Sequence, residues 1–227
     1  FAYVASHDLS EPLRMVSSYV QLLARRYQDQ LDSDADEFIG FAVDGVNRMQ
    51  RLIDDLLAYS RAGTAEYRFG PVDVAELVRD TLAGMRTTVA EAGATVVAGE
   101  LPEVWGDEGQ LRQLFQNLIG NGIKFRAEDP PRVEVSAERR GNGWLFDVSD
   151  NGIGIDPRHA ERIFSVFKRL HGRDEYPGSG IGLSICKRIV ERHHGRIAVE
   201  RSPSGGSTFS FTIPDREEQR GGKGERG

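Results

Sequence analysis

The chain holds 227 residues, with 29 Lys plus Arg against 35 Asp plus Glu, so its formal net charge is −6. Hydrophobic residues at 39% and charged residues at 28% exclude a wholly disordered chain. The acidic balance speaks against a nucleic-acid partner, no run reaches the ~18 apolar residues of a membrane span, and the single cysteine, Cys186, excludes an internal disulfide or a cysteine-built zinc site.

The first part reads as two long helices. Leu9, Leu13, Val16, Val20, Leu23 and Tyr27 follow one another at spacings of four and three. So do Phe38, Ala42, Gly45, Met49, Leu52, Leu56 and Tyr59, and both rows are heptad-like seams. Asp29-Gln-Leu-Asp-Ser-Asp34 breaks the pattern, and Ser33 or Asp34 can cap the second helix. Ile39, Val46 and Ile53 widen the apolar face beyond what two helices can enclose. Pairing with a second copy, to give a homodimeric four-helix bundle, is the economical solution. The small, polar segment Arg61 to Glu66 marks a boundary, with a hairpin over residues 1–65 and a second domain over 70–214.

The second domain mixes strands and helices. Val72–Val74 and Thr95–Ala98 read as strands and Ala75–Ala92 as a helix. Leu111, Leu114, Phe115, Leu118 and Phe125 form an apolar helix face. Val133–Ala137 and Trp144–Val148 flank the turn Gly141-Asn142-Gly143, and Ile197–Val199 and Thr208–Ile213 flank a second turn from Pro203. The fold class is therefore α+β: a helical hairpin followed by an α/β sandwich, a mixed sheet with helices on one face. Residues 215–227 are charged, Gly-rich and without an apolar residue, and read as a disordered tail. The chain opens on Phe1 with neither Met nor a signal-peptide pattern and reads as a piece of a longer protein.

Four places carry chemistry. His7 lies one residue past the first seam, among Glu11, Arg14, Ser18, Gln21 and Arg25, with Asp8 beside it and Pro12 weakening the helix just beyond. It is either an exposed nucleophilic imidazole oriented by a carboxylate or a surface histidine on a kinked helix. Gln110, Gln113, Asn117, Asn121 and Lys124 recur at three and four residues opposite the Leu/Phe face. Amides can ligate a hard cation and Lys can meet phosphate, while the plain alternative is a solvated polar face. Asp150 follows a strand and precedes Gly152 and Gly154, an arrangement that lets an acceptor and bare backbone approach a flat ligand. Gly178, Gly180 and Gly182 open a helix, either as an anion cradle or as a flexible turn. Neither a P-loop nor the signatures of Ser/Thr/Tyr protein kinases occur. Cys186, Trp105, Trp144, His193 and His194 read as structural, the two histidines near the end of a helix.

Together these stretches resemble the catalytic core of bacterial-type sensor histidine kinases. Ser6-His7-Asp8-Leu-Ser-Glu11-Pro12-Leu13 resembles the phosphoacceptor box, and Asn117-Leu-Ile-Gly-Asn121-Gly-Ile-Lys124-Phe125 the N box. Asp150-Asn-Gly152-Ile-Gly154 resembles the first glycine box, Phe164-Ser-Val-Phe167 the F box, and Gly178-Ser-Gly180-Ile-Gly182-Leu183 the second glycine box. Gly206-Ser-Thr208-Phe resembles the last box of the wider ATP-binding superfamily. The order is the family's, and the wording around His7 and over Arg169–Gly178 is most similar to kinases attached to phytochrome-type light sensors.

The resemblance implies a dimerising phosphoacceptor hairpin, an ATP-binding domain with ATP and Mg²⁺, a cytoplasmic location, a sensor region upstream of this chain, and a response-regulator partner. It implies that His7 takes the γ-phosphoryl group and Asp8 orients it. Asn121 would ligate Mg²⁺ with Asn117 close by, Lys124 would bind phosphate, and Asp150 would receive the adenine amine with support from Thr208. Asp156 to Pro177 would be a lid fastened by Phe164 and Phe167. Two departures stand out. Glu11 replaces the neutral Thr or Asn many members carry, which puts a phosphatase role toward the regulator in doubt. Gly122 replaces the usual Ala and is expected to loosen the N-box helix. A chain acting mainly as that phosphatase, an ATP-hydrolysing clamp and a scaffold without turnover remain as alternatives. The clamp enzymes use a Glu base where this chain has Asn117.

Overall fold

A computed structural model describes residues 2–27, 30, 32–64, 68–168, 170, 179–202 and 205–216, with side chains for all of these save 2–11, 33, 51 and 54–64. The chain divides into two compact units, Phe1–Thr64 and Ala65–Gly227.

The first unit is a hairpin of α1 (Ala2–Arg26, with Pro12 inside) and α2 (Ser33–Thr64). Asp32 caps α2, its Oδ1 accepting from the Ala35 N–H at 2.8 Å; the expected cap at Ser33 or Asp34 falls inside the helix, and the Ser33 side chain lies outside the described residues. A side chain caps from the residue before the first helical one, and the helix starts at Ser33. Leu13 and Val46 are buried, with Val20, Ile39 and Ile53 half-buried beside them. The two helices thus close on the stripe expected to lie beside the second seam. The seam residues Val16, Leu23, Phe38 and Met49 stay 47–66% exposed. A helix pair buries one stripe each; stepping one residue along a helix turns the stripe by about 100°. An apolar face wide enough for two stripes therefore leaves one uncovered.

The second unit opens with β1 (Phe69–Asp73), which pairs antiparallel with β3 (Glu103–Asp107) in a small two-stranded sheet. β3 has no counterpart among the strands expected above. Its inward positions are Val104 and Gly106, and a buried glycine adds nothing to an apolar alternation. Val74, expected to end a strand, is the first residue of α3 (Val74–Gly84), capped by Asp73 through the Glu76 N–H at 3.0 Å. The single helix expected over 75–92 is two, because Met85 leaves helical geometry after Gly84 and α4 (Arg86–Glu91) starts anew.

The main sheet has the order β2-β4-β5-β7-β6, with β2 (Thr95–Ala98) parallel to β4 (Arg132–Arg140) and the other pairs antiparallel. β4 and β5 (Gly143–Asp150) meet through the two-residue turn Gly141-Asn142, where Gly141 has φ +54°. β6 (Ile197–Arg201) and β7 (Ser207–Pro214) form the second hairpin. Val133, Val135, Phe146, Val148, Phe209, Phe211 and Ile213 are buried. They meet α5 (Glu108–Lys124), where Phe115 sits edge-on to Phe146 and Phe211, and α6 (Gly182–Arg192) runs beside α5. The expected tail does not begin at 215. The Asp215 N–H donates to the Asn142 carbonyl at 2.8 Å, its carboxylate pairs with Arg139, and Arg216 lies over the Trp105 ring. Among the described residues no helix is long and apolar enough to cross a membrane.

Candidate functional site

The end of β5, both ends of the α5–α6 pair and the start of β7 carry the second unit's site residues. α5 begins at Asp107, whose Oδ1 accepts from the Gln110 N–H at 3.0 Å, so the amide stripe starts from a fixed register. Gln110, Gln113, Asn117, Asn121 and Lys124 are all half-buried, whereas Glu108, Gly109 and Gln116 are exposed. The stripe is therefore not the helix's solvated outer face. Asn117 Nδ2 donates to the Gly182 carbonyl at 3.5 Å, so it faces the start of α6. The Asn121 carbonyl accepts from the Phe125 N–H at 2.9 Å, and the Lys124 ammonium lies 4.4 Å from the Phe125 ring centroid.

Asp150 is 9% exposed. Its Oδ1 accepts from the Gly152 N–H at 2.9 Å and the Ser207 N–H at 3.0 Å. Burial raises its pKa above the ordinary carboxylate range, against the opposing pull of those two donors. A Cβ on Gly206 would lie 2.2 Å from the Asp150 carbonyl oxygen, and one on Gly152 would lie 2.2 Å from that of Phe125. Both positions admit only glycine, because three elements close on one carboxylate. Gly154, at φ +73°, turns the chain away toward Gly205.

Thr208 is not the residue beside Asp150. Along β7, Ser207, Phe209 and Phe211 point into the helix layer and Thr208 points the other way, as strand alternation requires. Its Oγ1 lies 2.9 Å from Ser149 Oγ, across the strand pair. Ser207 is the neighbour that was missed; counting back by twos from Phe211 would have found it.

The start of the expected lid forms two short 3-10 turns, Pro157–His159 and Arg162–Phe164. Asp156 accepts from the Arg158 N–H and guanidinium, which hold its carboxyl well below the usual range. Phe164 is buried, but Phe167 is 56% exposed at φ +62°, so of the two only Phe164 is packed down. An exposed ring on a left-handed residue has no apolar layer to fasten to. Residues 169 and 171–178, Gly178 among them, lie outside the described residues. Gly180 has φ +76°, and Gly182 and the half-buried Leu183 open α6, whose first turn carries no side-chain cap. Its leading N–H groups are thereby left for an anion.

Among the described residues no cluster of three or more His, Cys, Asp or Glu could hold a metal. The amide oxygens on α5 fit a hard divalent ion that takes its remaining ligands from phosphate and water. His7, Asp8 and Glu11 fall on α1, and their side chains lie outside the described residues.

Two family models match the chain. Residues 1–65 match the His Kinase A (phospho-acceptor) domain. Residues 106–217 match the histidine kinase-, DNA gyrase B- and HSP90-like ATPase. Cyanobacterial phytochrome A of Nostoc sp. is 55% identical over 98% of this chain and 30% of its own length. Phytochrome-like protein Cph1 of Synechocystis sp. is 52% identical over 94% of this chain and 29% of its own. The crystal structure of full-length ShkA in complex with AMPPNP aligns with a TM-score of 0.71 at 29% identity, over 94% of this chain and 45% of that one. The chain thus spans less than a third of the length of the two phytochromes. A phospho-acceptor domain followed by this kind of ATPase domain, in a chain so close to the same portion of two phytochromes, means that it belongs to the sensor histidine kinases.

Proposed function

We propose that the chain is the kinase core of a phytochrome-type sensor histidine kinase and phosphorylates itself on His7 from ATP. The γ-phosphorus–oxygen bond of ATP breaks as a phosphorus–nitrogen bond forms on the imidazole, ADP leaves, and the ring's proton passes to a base. Asp8 is the adjacent carboxylate suited to orient the ring and take that proton, and Glu11 shares its helical face.

The observation that carries this reading is Asp150. A buried carboxylate would be poorly placed at the closed end of a β-sheet for structure alone, since its burial opposes its charge. With Oδ1 held by two backbone N–H groups, it is oriented to receive the exocyclic amine of adenine. Asn121, with Asn117, would hold Mg²⁺, which neutralises phosphate charge during transfer. Lys124 supplies a point charge to phosphate. Gly180 and Gly182, at the uncapped start of α6, leave backbone N–H groups open to it. The phosphohistidine would then pass its group to an Asp of a separate response regulator. The uncovered Val16, Leu23, Phe38 and Met49 stripe supports homodimerisation of the hairpin. A cytoplasmic setting, where ATP and regulators are found, completes the reading.

Incubation with γ-labelled ATP and Mg²⁺ should give acid-labile, base-stable label on the chain, absent from His7→Ala and from Asp150→Ala. Label that persists in His7→Ala refutes the assignment.

A further inference from the structure

On intrinsic preference, Gly122 is a defect in α5, since Ala is the better helix former and the related N boxes carry it. The packing reverses that judgement. Gly122 is buried, and a Cβ there would lie 2.7 Å from Val133 Cγ2 and 3.1 Å from Asp150 Cβ. Neither neighbour can step aside cheaply. Val133 is fully buried, β-branched, and paired on one side with Val96 and on the other with Asp150. Asp150 is tied through Oδ1 to the Gly152 and Ser207 N–H groups. The last turn of α5 is itself bound to the Asp150 loop, because the Ile153 N–H donates to the Phe125 carbonyl at 3.0 Å.

We propose that Gly122 is a positioning residue for nucleotide binding. By letting α5 lie directly on Val133 and Asp150, it sets the spacing between the Asn121 amide and the Asp150 carboxylate. Those two groups stand at the metal–phosphate end and the base end of the ATP site, so this inference rests on the ATP reading above. A methyl group at 122 wedges α5 outward by roughly 0.7 Å, the step from 2.7 Å to an ordinary 3.4 Å contact. One nucleotide then meets both ends less well, and bends from its preferred shape to do so.

The test uses the 227-residue chain. In Gly122→Ala the Kd for Mg-AMPPNP and the ATP KM for His7 labelling should rise about ten-fold, with kcat at saturating ATP falling less than about three-fold. Adding Val133→Ala makes room for the methyl and should return Kd and KM to within about three-fold of the unsubstituted chain. If the double variant melts too low to assay, Gly122→Ser serves instead and should raise KM at least as far as Gly122→Ala. A role in helix propensity alone would leave Kd unchanged and raise the melting temperature. That result, or weak binding that Val133→Ala does not relieve, overturns the proposal. An unsubstituted chain that fails to bind Mg-AMPPNP overturns the ATP reading with it, whereas normal binding by both the unsubstituted chain and Gly122→Ala overturns this inference alone.

Discussion

Between pH 7.5 and 5.5 the ATP-binding unit should lose stability through one residue, His193. It closes α6, is fully buried, and is bonded on both sides of its ring. Nδ1 lies 2.8 Å from the Ile189 carbonyl oxygen, which can only accept, so Nδ1 carries the proton. The Asp107 N–H donates to Nε2 at 3.0 Å, so Nε2 carries none. The Phe69 ring lies 4.8 Å away, and the missing Cβ of Gly106 leaves just enough room for the imidazole edge. A second proton would meet the Asp107 N–H head-on in an apolar site. Burial accordingly pushes the imidazole below its ordinary pKa; the Ile189 carbonyl and the Asp107 carboxylate oppose this, and His194 and Arg192 add to it.

An unfolded histidine takes its proton near pH 6.5, and the folded chain takes it only at a lower pH. The stabilisation is therefore fully present above about pH 6.5 and drains away as the pH falls below it. For one such site the loss between pH 7.5 and 5.5 is bounded at about 1.4 kcal/mol, the limit for an imidazole that never charges in the fold, or about 3–6 °C for a domain of this size. His193→Gln keeps an acceptor for the Asp107 N–H, cannot titrate, and gives up the donor to Ile189. It should cost about 1–3 kcal/mol at pH 7.5 yet flatten the pH dependence, by up to that bound. Circular-dichroism melts of both proteins at the two pH values, at constant ionic strength, measure this difference of differences. A variant with the full pH dependence of the unsubstituted chain would refute the reasoning, as would an imidazole resonance of His193 titrating near pH 6.5 in the folded protein.

Asp150→Asn keeps an Oδ1 for the Gly152 and Ser207 donors and removes a buried charge. It should melt at or above the unsubstituted chain while losing measurable Mg-AMPPNP binding, read by calorimetry beside thermal scans. Gly206→Ala places a methyl within 2.3 Å of Asp150 Oδ1. It should abolish nucleotide binding and lower the melting temperature together, a pairing that separates it from Asp150→Asn. Burial pushes the Cys186 thiol up to about 12, so at pH 8 thiol reagents should modify it only on unfolding; modification of the native chain would contradict its buried place on α6. Leu23→Glu with Met49→Glu charges the uncovered hairpin stripe and should convert a dimer to monomer in light scattering, with helix content nearly kept.

What the chain shows in one dimension depends on how local each interaction is. The β4–β5 hairpin was legible because Gly141-Asn142 and the alternating residues around it lie within a few positions of one another. The amide stripe was legible as a stripe, but whether it faced water depended on α6, some 65 residues further on. The hairpin seams were found, yet which stripe closes the hairpin and which is left over depends on two helices competing for one broad face, and periodicity describes each helix alone. Buried glycines mark the sharper limit. Gly106 against His193, Gly122 against Val133, Gly152 against Phe125 and Gly206 against Asp150 are close approaches of this kind, and glycine has no hydropathy by which to announce burial. A motif spells Gly206 without giving its reason. Gly122 even looks like a fault until Val133 and Asp150 are placed beside it. The tightest geometry of this candidate site is therefore set where a sequence carries the least signal, and substitutions that look harmless or helpful by propensity are the ones expected to damage it most.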